Sequence, residues 1–291
     1  MQIERIAKST LTPVEMDPGD EFTFVTTDKK SHSIKLKQTC GCRLNEIYDK
    51  SGIAPVAARG AYRFWARLVI DGWEFEINRY VGTQDSFYEP WTFNGLRFWF
   101  DAVNEIFQIL DEKHGPCRPK KHARFVFQDA NLRICPVKLH PWCPLPEGGL
   151  HITDCYRGED CWLGPYDGCS AHAGLDINHR AGTPLYAPVD LDDHCLLSAR
   201  SRGDDNNRWV GIKRWEDGSE WILKTSHVAR LIIPEHQKIK AGTHYADGGG
   251  VSICHREHSH FGFEVKEYGE IYLLDPWILF WQMYKDNYGG M

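Results

Sequence analysis

The sequence has no run of about eighteen apolar residues, so it offers no helical membrane span. Met1 to Phe22 is polar and lacks the apolar core of a signal peptide. For an exported protein, the expectation is then a mature form behind a replaced leader. No Cys-x-x-Cys pair occurs, which argues against a cysteine-held structural zinc. His-Glu-x-x-His and His-x-x-Glu-His are absent, which excludes the helix-borne zinc peptidases by motif. Gly-x-Ser-x-Gly is absent too, which lowers a serine-hydrolase reading. There is no internal repeat, and Gly248-Gly249-Gly250 has no phosphate-loop surroundings. Positive charge is in deficit. The net charge of −6 disfavours a nucleic-acid partner.

What is present is an ordinary globular composition over 291 residues, 42% hydrophobic and 25% charged, enough for one or two domains with a sizeable core. Aromatics are plentiful, with 11 Trp, 12 Tyr and 14 Phe. Core packing accounts for them first, and stacking on sugars second. Ten cysteines are many for a cytosolic enzyme, and seven of them fall between 117 and 195 in loop-like sequence. They point to several disulfides and an oxidising compartment.

The chain divides near residue 136. Residues 1–135 read as a mixed, mainly β domain of unassigned role. Residues 21–27 and 33–37 are strand-like. Tyr62–Ile70, Asp71-Gly72 and Trp73–Tyr80 spell a hairpin, because alternating apolar residues flank an Asp-Gly turn. Asn94–Leu110 reads as a helix capped by Asn94, with Trp99, Val103, Ile106, Phe107 and Leu110 at helical spacing. Prolines and glycines punctuate 115–165 as a link. Within residues 136–291, the chain from about 170 reads as short strands separated by turns, closed by a terminal helix over 276–284. Ser201–Arg208 and Glu216–Ser219 are the expected hairpin connections.

The chemistry concentrates in three stretches of the second part. His258 and His260 open a strand, Phe261-Gly262-Phe263-Glu264-Val265, so period-two geometry puts both imidazoles on one face. His172 and Asp176 lie in Ala171–His179, where Gly174 and Leu-Asp-Ile suggest a loop entering a strand. Whether that pair converges depends on the fold. Between them lies Lys224-Thr225-Ser226-His227-Val228-Ala229-Arg230-Leu231. Two histidines and a carboxylate form a catalytic-zinc donor set with a fourth position open to water. His255, three residues before His258, is expected to face away. His179, His194, His236 and His244 read as bystanders, and Cys195 and Cys254 as disulfide or core residues.

His172 to Val189, HAGLDINHRAGTPLYAPV, resembles the first motif of the lysostaphin/LytM-type zinc endopeptidases: a His-x-x-x-Asp pair, then Gly182-Thr183-Pro184-Leu185-Tyr186-Ala187-Pro188. Ser226-His227-Val228-Ala229-Arg230-Leu231 resembles that family's middle element, and His258–Val265 its closing His-x-His-Phe motif. The resemblance covers roughly 165–280. It implies an antiparallel β-sheet catalytic domain of LytM-like, barrel-sandwich type. It also implies His172, Asp176 and His260 as ligands of Zn2+, and His227 and His258 as the catalytic pair, their order of action open. The implied activity is metallopeptidase hydrolysis of bacterial cell-wall peptidoglycan cross-links by zinc-activated water, outside the cell or in the periplasm. A non-catalytic wall-binding or regulatory module of the same fold, or a zinc hydrolase of another amide, is the alternative. Two positions depart from the pattern. Leu191 stands where the family has glycine, and residues 248–257 replace a loop rich in Gly, Ser and Thr.

Overall fold

A computed structural model describes residues 2–44, 60–112, 115–158, 160–166, 170–197, 207–249 and 257–289. Residues 250–256, with Cys254 and His255, lie outside the described residues, as do Cys169 and positions 201–206 of the expected hairpin connection. The chain forms two compact units. The first is Met1–Pro136 with Cys161–Ala173, the second Val137–Asp160 with Gly174–Met291.

The first unit is built from β1 (Gln2–Ile6), β2 (Thr12–Met16), β3 (Glu21–Val25), β4 (Ser31–Arg43), β5 (Tyr62–Ile70), β6 (Trp73–Val81), β7 (Trp91–Phe93), β8 (Leu96–Val103) and β9 (Ala123–Asp129). It also holds the short pair β10 (Pro165–Tyr166) and β11 (Ser170–Ala171). One sheet runs β1-β3-β4-β5-β6, and a second runs β2-β9-β8-β7. Phe22 against Phe127 and Phe64 against Phe100, with ring centres 4.9 Å apart in each pair, join the two sheets through their inner faces. The hairpin expected at Asp71-Gly72 forms, with Ile70 opposite Trp73.

The helix expected over Asn94–Leu110 does not form. Asn94 and Gly95 both take positive φ, 52° and 92°, and turn β7 into β8. Leu96–Val103 is a strand buried along nearly its whole length, and only Asn104–Gln108 winds, as a 3-10 turn. A run apolar on both faces carries no phase that separates a buried strand from a helix.

The second unit contains β12 (Leu175–Asn178), β13 (Pro184–Tyr186), β14 (Asp193–Leu197), β15 (Asn207–Arg214), β16 (Glu220–Leu231), β17 (His244–Gly248), β18 (His258–Glu267), β19 (Glu270–Leu274) and α1 (Trp277–Tyr288). Its main sheet runs β12-β18-β16-β15-β14, every pair antiparallel. Strand β17 pairs with both β13 and β16, and β19 with β18. Phe261, facing inward from β18, meets Trp142 and Phe280 of α1 at 5.0 and 5.3 Å, so the helix covers the buried face of the sheet. The opposite face carries the histidines. No described helix is long and apolar enough to cross a membrane.

The expected disulfides are corrected. Among the described residues no two cysteines are joined, and Cys40, Cys42, Cys117, Cys143 and Cys195 are free. Cys117 and Cys143 are fully buried, and burial pushes each thiol up to about 12. They fill the core as small apolar groups instead of stapling loops.

Candidate metal centre

Strand pairing builds most of the centre. Strand β12 lies beside β18 with Asp176 opposite His260 and Asn178 opposite His258. Paired residues share a face, so the Asp176 carboxylate and both imidazoles of the His-x-His strand point the same way. The contacts follow: His260 Nδ1 lies 2.9 Å from Asp176 Oδ1, and His258 Nε2 lies 3.3 Å from Asp176 Oδ2. Gly174 permits this approach. A Cβ there would stand 2.3 Å from His260 Cε1 and 2.5 Å from the Phe261 carbonyl oxygen.

His172 is buried, and its backbone exchanges hydrogen bonds with Leu163 and Gly164. Its Nδ1 donates to the Cys161 carbonyl at 3.2 Å, which leaves Nε2 with its lone pair. A backbone carbonyl behind the ring commonly fixes a ligand imidazole in this way. One donor atom from each of His172, Asp176 and His260 lies within 4.8 Å of the other two. Two imidazoles and one carboxylate at that separation fit a zinc ion with one coordination position left for water.

His227 arrives by a different device. Up to Ser226, β16 pairs with β18; from Val228 it pairs with β17. Against β15, Asn207 stands opposite Val228 and Arg208 opposite Ser226, so His227 is the extra residue of a bulge. Its φ is 62°, a left-handed conformation uncommon outside glycine. The Gly249 N–H holds its carbonyl at 2.6 Å. The bulge re-aims the side chain, and the His227 ring meets the His258 ring edge-on at 4.6 Å. Burial, with the neighbouring His258 next, pushes the His227 imidazole down to about 3, against the opposing pull of Asp176. It is therefore neutral at ordinary pH.

Sequence reasoning passed over Tyr156. Its ring stacks on His258 at 4.3 Å and 24°, so His258 is flanked by Tyr156 and by His227. Tyr156 sits on a 3-10 turn in the punctuated stretch, where no periodicity or motif marks it. His194 and His236 stand apart from the cluster: His194 bonds the Trp209 indole, and His236 lies by Asp193.

No protein-family model matches the chain, and no curated protein matches it. Solved structures do. The chain is similar to the antimicrobial peptidase lysostaphin from Staphylococcus simulans, at 21% identity and TM-score 0.32, over 40% of this chain and 46% of that one. It is similar to LytU at 19% identity and TM-score 0.31, over 48% of this chain and 81% of that one. A putative peptidase M23 from Pseudomonas aeruginosa matches at 13% identity and TM-score 0.30, over 94% of this chain and 93% of that one. The match spans less than half the length of two lysostaphin chains, 42% and 46%. Likenesses this distant carry no argument of their own about the chemistry, which rests on the side chains described above.

Proposed function

We propose that the chain is a zinc-dependent endopeptidase of bacterial cell-wall peptidoglycan, with 136–291 as its catalytic domain. The observation that supports this reading is the convergence of His172, Asp176 and His260 within 4.8 Å, with His258 and His227 beside them. His172, Asp176 and His260 would hold the ion. The chemistry zinc supplies in such a donor set is Lewis-acid activation of water and of the scissile carbonyl. The rest belongs to the chain. His227, neutral beside the site, relays the proton lost by the attacking water to the leaving amine. His258, its ring clamped by Tyr156, donates a hydrogen bond toward the developing oxyanion. The wall substrate and a site of action outside the cytoplasm follow from the motif resemblance alone. The absence of disulfides among the described residues removes the cysteine argument for that location.

The test is metal content together with hydrolysis of purified cell wall, for wild type and His258→Ala. Bound zinc, chelator-sensitive cleavage and its loss in the variant are expected. A wild type that binds no zinc or cleaves nothing would overturn the reading and leave a binding module of the same fold.

A further inference from the structure

His179 is unused in that assignment, and sequence alone marks it as a bystander. Its contacts do not. It follows β12, on the same side as Ile177, which stands opposite Ser259. Its Nδ1 lies 2.9 Å from the Arg180 carbonyl oxygen, which can only accept, so Nδ1 carries the hydrogen. Nε2 then has a lone pair, and Ser259 Oγ donates to it at 2.5 Å. Ser259 is fully buried and is the middle residue of His258-Ser259-His260. Its side chain leaves β18 on the face opposite the two histidines, so His179 grips the strand from behind.

The same ring reaches a second element. It lies against Gly248, where a Cβ would stand 2.4 Å from His179 Cε1. Gly248 pairs with Val228, and Gly249 holds the His227 carbonyl. The His179 backbone N–H adds a bond to the Glu257 carbonyl at 3.1 Å, just before His258. One imidazole thus touches both the strand that carries His258 and His260 and the strand end that anchors the His227 bulge.

We infer that His179 is a positioning residue that fixes the relative aim of His227, His258 and His260 through Ser259 and Gly248. Its catalytic meaning rests on the zinc-peptidase reading; its structural content does not. A residue that merely filled the space would need no ring acceptor at the Nε2 position and no glycine at 248.

The experiment uses the full chain and two readouts. In metal-free protein, long-range 1H–15N correlation spectra report the tautomer and surroundings of each imidazole. His179→Asn, which reaches only as far as Nδ1, is expected to move the His227, His258 and His260 signals. His179→Gln, whose amide oxygen takes the place of Nε2, is expected to restore them. Ser259→Ala, which removes only a hydroxyl, is expected to reproduce the asparagine variant, and the double variant to do no more than either single one. In zinc-loaded protein, His179→Asn and Ser259→Ala are each expected to lower kcat by about 10- to 100-fold with KM little changed, as loss of a supporting partner does. Unchanged imidazole signals in His179→Asn and Ser259→Ala, or equal displacement in the asparagine and glutamine variants, overturn the inference. Spectra that behave as stated in a protein that neither binds zinc nor cleaves wall uphold the positioning and sink the peptidase reading alone.

Discussion

His227 takes a left-handed backbone conformation at a position where glycine would cost less, by about 1–2 kcal/mol. Such strain is retained where a side chain must be aimed. His227→Ala is expected to lower kcat roughly 10²- to 10⁴-fold, while zinc content stays at the wild-type value. Steady-state cleavage and metal analysis on one preparation separate the two. The same residue predicts a pH dependence for the metal-free protein. Its folded value, about 3, lies below the unfolded value of 6.5. Between those limits the unfolded chain binds a proton that the folded chain refuses. The stability of the neutral ring is therefore complete above about pH 6.5 and is lost progressively as pH falls toward 3. Urea titrations across that window are expected to show a shallower slope for His227→Gln, and an unchanged slope would remove His227 as the cause. The identity of the five candidate side chains was legible because their spacing and order are written along the chain. The bulge was not, since it arises from β16 changing partners. Tyr156 was not either, because nothing near it in sequence points to His258.

At the level of strands, legibility followed periodicity. The Asp71-Gly72 hairpin alternates and forms with the expected register, and His258 and His260 share a face of β18 as their spacing requires. Leu96–Val103 does not alternate, and its burial on both faces defeated the pattern. The pairing of β12 with β18 could not be read from the motif, because it depends on Gly174 letting backbone and imidazole meet. Gly174→Ala is expected to push β12 off β18, abolish zinc binding and lower Tm, since the added methyl would overlap both His260 and Phe261. Gly182→Ala is the control. That residue has φ 79° with nothing within 4 Å of an added Cβ, so strain of about 1–2 kcal/mol is expected with zinc binding intact. Thermal melts and a chelator competition distinguish them, and zinc retention in Gly174→Ala would refute the close-approach argument.

Across the whole molecule, composition was a good guide to class and a poor one to cysteine chemistry. The count suggested staples, but apolar burial is an equally good use of a thiol, and sequence spacing does not separate the two. Alkylation in denaturant without reductant is expected to label at least Cys40, Cys42, Cys117, Cys143 and Cys195. In the folded state Cys117 and Cys143 are expected to resist. Peptide mass spectrometry reads both, and a disulfide-linked peptide containing any of the five would contradict the fold described above.

One local arrangement reaches further than its size. The Leu139 N–H bonds Asp286, Asn287 bonds the Leu139 carbonyl, and the Tyr284 hydroxyl bonds the Pro146 carbonyl. The thread that enters the second unit is thus tied to the helix that finishes it. Unwinding of the last helical turn, from Tyr284 onward, would unfasten both ends of that unit at once, so damage at one would register as sudden loosening at the other.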